Sequence, residues 1–490
     1  RSRGRHRGDG TRGRQPCRRP RALTVDAAVP SAALRRYGGQ VTDSTERDLD
    51  IVIFGASGFV GRLTAAYLAE HAPAEVRVAL AGRNRERLEA VRAQLPPAAA
   101  EWAILVADSS EPPTLAALAA RARVVATTVG PYARLGMPLV EACALAGTHY
   151  CDLTGEVLFV RESADTWHDT ATETGARIVH SCGFDSIPSD LGVLITADTV
   201  AADGEGELTE TVLSVVSMRG GVSGGTVDSM RQQAILMRAD VSARSIVADP
   251  YALSPDRAAE PSPARTLEVA DAITRPVDVG GPGALASAMR AARAIRSTAV
   301  GLGRRLPVRR DPATGHWTGP FVMASFNTRI VRRSNALLGW RYGRSFRYRE
   351  VVDFGSSAKA PVLATGMSAG LAGLVGAMAF EPTRELAGRF LPKPGEGPST
   401  QQQEQGRFRM VIRARTSTGA AYLTRVGADR DPGYSGTAVM LGESALALAL
   451  DGDRLPAMAG VLTPATALGR VLVDRLVAQG FTFSCARDGG

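Results

Sequence analysis

Leu49-Asp50-Ile51-Val52-Ile53-Phe54-Gly55-Ala56-Ser57-Gly58-Phe59-Val60-Gly61 reads as a short buried strand running into a glycine turn, and Arg62 to His71 then has helical composition and spacing. Each glycine has its own task. Gly55 permits the tight turn, Gly58 lets the backbone approach a pyrophosphate, and Gly61 lets the helix pack close to the strand. The unpaired N–H groups and positive dipole end of the helix complete an anion site. A glycine triplet alone says little, but between a strand and a helix it predicts a dinucleotide-binding unit formed by Gly55, Ala56, Ser57, Gly58, Phe59, Val60 and Gly61.

The next strand, Val76 to Ala81, ends in Gly82-Arg83-Asn84, where an NAD site would place a carboxylate for the ribose hydroxyls. Arginine stands there instead. A guanidinium donates paired hydrogen bonds to the extra phosphate of NADP, whereas a carboxylate would repel it, so Arg83 predicts NADPH as the cofactor. Arg85 and Arg87 read as residues of a solvated helix face that can assist it.

Strands at Trp102 to Ala107, Val124 to Val129 and Ala176 to His180 continue the pattern, with a shorter extended piece at His149 to Asp152. Helices at Pro112 to Ala122, Pro138 to Ala146 and Leu158 to Thr174 separate them. This alternation predicts an α/β fold, a Rossmann-type doubly wound parallel sheet over residues 48–184, with ligands outside the carboxyl ends of its strands. Asp108 lies at one such end and Thr127-Thr128-Val129-Gly130-Pro131-Tyr132 at another. Asp108, Thr128 and Gly130 are therefore expected cofactor contacts, the last two on the nicotinamide side.

Composition narrows the function classes. The 490 residues are 44% hydrophobic and 22% charged, as in a globular chain long enough for more than one core. Residues 1–22 hold nine arginines against Asp9, so of the formal +9 this stretch supplies +8 and the other 468 residues only +1. A nearly neutral body offers no phosphate-binding face, and nucleic acid is not an expected partner. Residues 1–47 are expected to be a disordered, dispensable tail. The five cysteines are scattered without a Cys-x-x-Cys pair and the six histidines show no ligand spacing, so no metal site is expected and the thiols read as reduced.

The glycine turn with Ala81-Gly82-Arg83, together with Val129-Gly130-Pro131-Tyr132, Tyr150-Cys151-Asp152-Leu153-Thr154-Gly155-Glu156 and Cys182-Gly183-Phe184-Asp185-Ser186-Ile187-Pro188-Ser189-Asp190, resembles the saccharopine dehydrogenase-like oxidoreductases. Gly220-Gly221-Val222-Ser223-Gly224-Gly225-Thr226, Asp431-Pro432-Gly433-Tyr434 and Gly460-Val461-Leu462-Thr463-Pro464-Ala465 extend the resemblance to roughly residues 50 to 484. It is strongest to the bacterial trans-acting enoyl reductases. The resemblance implies NADPH-dependent reduction of a carbon–carbon double bond in an acyl or polyketide chain, borne by a carrier protein on a polyketide synthase that makes phthiocerol-type or phenolic-glycolipid lipids. Such a reaction needs a proton source besides the hydride donor. Tyr132 is the first candidate, and Asp185 and Asp152 are candidate orienting groups. Saccharopine-type imine reduction and a non-catalytic NADP-binding, lipid-associated protein are the alternatives.

Residues 185–455 read as a second, α+β substrate domain, beginning with a helix from Pro188 to about Thr199 and a strand from Leu208 to Met218. Ser223 and Thr226 are expected near the cofactor. Phe321 to Val331 and Phe408 to Arg415 read as further strands, and residues 456–490 as a segment whose helix returns to the first domain. Pro361 to Phe380 is a run of 20 uncharged residues with glycines at 366, 370, 373 and 376. It is expected to be buried or to line the substrate site, with membrane-surface contact the next reading and a true span the last. The expected location is the cytoplasm, including the inner face of the plasma membrane.

Overall fold

The computed structural model of the protein describes residues 47–220, 235–236, 240–260, 308–379 and 405–489. Ser223, Thr226 and Leu374 are not among the residues whose side chains it describes. In chain order the first part is β1 (Leu49–Phe54), α1 (Phe59–His71), β2 (Val78–Gly82), α2 (Arg85–Arg92), β3 (Ala103–Val106), α3 (Pro112–Arg121), β4 (Ala122–Thr127), α4 (Met137–Ala146), β5 (His149–Cys151), α5 (Val157–Thr174) and β6 (Arg177–Val179). The remainder is α6 (Ile187–Ala202), β7 (Leu208–Arg219), α7 (Val241–Ala248), β8 (Arg309–Arg310), β9 (Trp317–Pro320), α8 (Ala324–Leu337), β10 (Arg347–Asp353), α9 (Ala360–Ala379), β11 (Arg407–Thr416), β12 (Ala421–Ala428), α10 (Ser435–Leu450), β13 (Gly460–Leu462), α11 (Gly469–Ala478) and β14 (Thr482–Arg487).

Among the described residues the strands form two seven-stranded sheets. The first is wholly parallel in the order β13-β6-β5-β4-β1-β2-β3. Every residue of β1 is buried, as a strand covered on both faces must be. Ile51 and Ile53 join the core that holds Leu68 of α1 and Leu446 of α10, while Val52 and Phe54 join the opposite core with Leu115, Leu118 and Val140. The order reverses at β1, whose neighbours are β2 and β4, and in sheets of this kind ligands bind at that switch point, outside the carboxyl ends.

The second sheet runs β14-β12-β11-β7-β10-β9-β8, with β7 and β10 parallel and the other pairs antiparallel. Its inner face, with Leu213, Met410, Ile412 and Val426, shares one continuous core with α6 and the first sheet. The two sheets therefore have no linker between them. Glu443 of α10 pins this junction, bonding the Tyr67 hydroxyl of α1 and, at 3.0 Å, Arg475 of α11, which also holds Asp451 at 2.6 Å.

Several expectations change. Arg47 belongs to the folded body rather than to the tail: its guanidinium donates to Ala122 O (2.5 Å), Ala146 O (2.6 Å) and Thr148 Oγ1 (2.7 Å). Phe321 to Val331 is not a strand, because its buried Phe326, Ile330 and Val331 recur at helical spacing and form the inner stripe of α8. The chain after residue 455 returns to the first sheet only as β13, then passes through α11 to β14 at the edge of the second.

The uncharged run is helix α9, and through Gly373 it is mostly exposed instead of buried. Ala360, Ala364 and Ser368 face inward, the last two beside Gly319, while Val362 (71% exposed), Leu363 (58%) and Met367 (42%) face out. Only the small residues can approach β9 closely. Among the described residues no helix is long and apolar enough to cross a membrane.

Candidate functional site

The glycine turn closes through Gly55, whose φ of +92° suits glycine and whose carbonyl accepts from Gly58 N (2.9 Å) and Thr128 Oγ1 (3.2 Å). The turn after β1 is thus tied to the loop after β4. A β-carbon on Gly61 would lie 2.3 Å from Gly55 O and 2.9 Å from Ala56 Cα, so α1 reaches the strand only because Gly61 has none. No side chain caps the start of α1, which leaves its N-terminal N–H groups for an anion. Gly61→Val is expected to lower the melting temperature by ~3–8 °C and to abolish NADPH binding, measured by thermal denaturation and fluorescence titration.

Ser57, Arg83, Asn84, Arg87 and Asp108 line an open cleft beyond β1, β2 and β3. Asn84 Oδ1 accepts from Arg87 N at 2.9 Å, fixing the start of α2 beside Arg83. Arg85 is drawn away to Glu89 at 3.7 Å, whereas the Arg83 and Arg87 guanidinium groups bond no described residue. Two guanidinium groups in one cleft, neither hydrogen-bonded to a described residue, fit a phosphate monoester. Asp108 accepts from Ser110 N (2.9 Å) and Ser110 Oγ (2.8 Å); these bonds, with the Arg83 charge, hold its carboxyl below the usual range.

On the other side of β1 the loops after β4, β5 and β6 converge. Gly130-Pro131 is a cis peptide, and Tyr132 N and Ala133 N donate to the buried Glu156 carboxylate at 3.0 and 2.8 Å. Tyr132 is itself buried. Its hydroxyl donates to Thr127 O and accepts from Leu153 N, both at 3.2 Å, and burial pushes its pKa well above the usual phenol value. This makes Tyr132 a clamp between two loops, its hydroxyl proton directed at the Thr127 carbonyl.

Asp152 is fully buried and accepts from four donors: Tyr150 Oη (2.9 Å), His180 Nδ1 (2.7 Å), Thr154 N (3.0 Å) and Ser181 N (2.9 Å). Ser181, at a φ of +67°, is held in that left-handed turn by this bond and by its own donation to Thr154 O at 2.8 Å. Asp152 thus shapes the turn that leads to Asp185. Phe184 N donates to Thr437 Oγ1 at 3.1 Å, tying the same loop to α10.

Asp185 differs from every carboxylate around it. It is half-buried, faces Gly155, and has no hydrogen bond or ion pair to any described residue. Burial alone pushes its pKa up to about 6.

Glu156, Thr437 and Tyr434, whose ring meets Phe59 edge-on at 4.9 Å, are site-forming residues to which the sequence assigned no role. Glu156 and Tyr434 sit inside motifs already noted, yet their partners lie 24 and 375 positions away. Local pattern carries no such signal.

Residues 51–179 match the saccharopine dehydrogenase NADP binding domain. A Mycobacterium tuberculosis protein named trans-acting enoyl reductase is 47% identical over 447 residues, covering 90% of this chain and 99% of the relative. A Mycobacterium ulcerans protein of the same name is 46% identical over 450 residues, covering 91% of this chain and 99% of that one. Among solved structures, apo saccharopine dehydrogenase (L-Glu forming) from Saccharomyces cerevisiae aligns over 90% of this chain and 100% of its own, at a TM-score of 0.48 and 13% identity. With a relative this similar over nearly its whole length, the chain belongs to the trans-acting enoyl reductase family of saccharopine dehydrogenase-like oxidoreductases, and its NADP-binding domain spans β1 to β6 with the helices between them.

Proposed function

We propose that the protein is an NADPH-dependent enoyl reductase in which Asp185 is the proton donor. The observation that carries this reading is the placement of Asp185: a carboxyl with no hydrogen bond or ion pair among the described residues and a pKa near 6, in the loop between β6 and α6 and near Tyr132. Residues Gly55 to Gly61 would hold the pyrophosphate, Arg83 the extra phosphate, and Thr128 and Gly130 would border the nicotinamide. When bound, NADPH supplies the hydride that reduces the β-carbon of the unsaturated acyl group. Asp185 gives its proton to the α-carbon and, being only partly buried, recovers it from water. Tyr132, Glu156 and Asp152 keep the loops in register without exchanging protons with the substrate.

Turnover is tested by following NADPH oxidation with 2-enoyl thioesters. Saturated thioester as product supports the reading. Tight NADPH binding without turnover of any enoyl thioester, or a requirement for glutamate plus an aldehyde, would replace it.

The substrate class proposed here is a long acyl or polyketide chain on a carrier protein, in synthesis of complex lipids at the cytoplasmic side of the membrane. The motif resemblance supports the chemistry, and the outward Val362, Leu363 and Met367 of α9 support peripheral contact with a lipid surface. Leu363→Gln with Met367→Gln is expected to cut co-sedimentation with lipid vesicles by ~5-fold or more and to leave NADPH affinity unchanged. Equal sedimentation of both proteins would count against membrane contact.

A further inference from the structure

We propose that the outer face of the second sheet is a docking surface for a folded, carboxylate-rich protein domain. The inner face of this sheet is covered by α6, α8 and α11, and the opposite face is lined by arginine. Strand register places Arg349, Val212, Arg413, Leu423 and Ala486 side by side in one row across β10, β7, β11, β12 and β14. The next row is Val351, Ser214, Val411, Arg425 and Ser484. On the other side of the first row lie Arg347 opposite Glu210 and Arg415 opposite Ala421. These rows bring together five arginines and one carboxylate.

None of the five forms a hydrogen bond or ion pair through its guanidinium with a described residue. Elsewhere on the body exposed arginines are commonly matched, as in Arg121–Asp48 (2.5 Å), Arg341–Asp198 (2.8 Å) and Arg487–Glu205 (2.7 Å). Outside residues 1–22 the chain carries only +1, so the face is a local concentration of charge and not a sample of a basic surface. Further along the same sheet Arg407 stands directly opposite Arg219, an arrangement that costs stability.

The alternation of arginine with Val212, Val411 and Leu423 selects the class of occupant. Carboxylates would meet the guanidinium groups while apolar side chains fill the strips between them, which is the composition of a protein–protein interface. The rows hold no aromatic residue on which bases could stack, so nucleic acid fits less well. A second copy would bring arginine against arginine.

An acidic acyl-carrier domain is the probe of choice; that choice rests on the carrier-borne substrate proposed above. Binding to the intact protein is measured by calorimetry at low salt, beside Arg349→Gln/Arg413→Gln/Arg425→Gln and the charge-reversed Glu triple variant. The expected result is a salt-sensitive complex whose Kd rises ~10-fold or more in the Gln variant and further in the Glu variant, with melting temperature and NADPH affinity kept. The Gln variant serves if the Glu variant fails to fold. No binding by the wild-type protein, or equal binding by the Gln variant, overturns the proposal. Tighter binding to a DNA duplex or to phosphatidylglycerol vesicles, or a wild-type dimer that the Gln variant loses, also overturns it. Turnover of small enoyl thioesters should be the same in all variants, so a failure of docking and a failure of the reductase reading are separately visible.

Discussion

Arg83→Asp is expected to raise the Kd for NADPH by ~100-fold or more while changing that for NADH by less than ~3-fold. Arg83 stands at the end of β2, held there by the cap that Asn84 gives α2, and its guanidinium bonds no described residue. It is therefore available to the extra phosphate without first breaking an internal bond. An aspartate would replace attraction by repulsion of that phosphate and would accept from the ribose hydroxyls of NADH, so the two cofactors should respond in opposite directions. Arg87→Ala is expected to give a smaller loss in the same sense. Equal losses for both cofactors in Arg83→Asp would show that the substitution damages the turn and does not select the phosphate.

The first sheet is legible in the sequence because its strands are short, apolar and covered on both faces. The expected bounds of β1 agree with those found, and β2, β4 and β6 differ by one or two residues at either end. Arg83 is legible for a related reason: its role depends on a fixed offset from a strand end. What escapes is set by contacts between distant segments. The chain from Phe321 to Val331 carries enough phenylalanine, valine and isoleucine to read as a strand, and only packing on β10 and α6 shows that its stripe has helical period. Of the reading of α9 as buried or substrate-lining, the buried half fails because an uncharged run does not reveal that small residues alone face inward. Tyr132 reads as an acid from its type and place, whereas its buried hydroxyl is occupied by Thr127 O and Leu153 N.

Asp185→Asn should lower the turnover number by ~10²–10³-fold with the Kd for NADPH unchanged, because an amide keeps the shape of the site and removes its transferable proton. Wild-type turnover should fall as pH rises through about 6, where Asp185 loses its proton, and the residual activity of the variant should lack that limb. Stability gives an independent readout of opposite sign. The folded-state pKa of about 6 lies above the ordinary value of 3.8, so protonation is the form the fold prefers. Below pH 3.8 the carboxyl is neutral in both states and burial costs nothing for charge; above 6 the full cost of holding a desolvated carboxylate is present. For this partly buried group, with some screening by solvent, this amounts to about 1–2 kcal/mol. Asp185→Asn is thus expected to melt a few degrees higher than wild type at pH 8 and at the same temperature near pH 4. A protein that is more stable but inactive would mark Asp185 as a group held at a cost for chemistry. A variant that loses stability at pH 8 would instead make Asp185 a structural partner of the loop, and the proton donor would have to be sought elsewhere in the cleft.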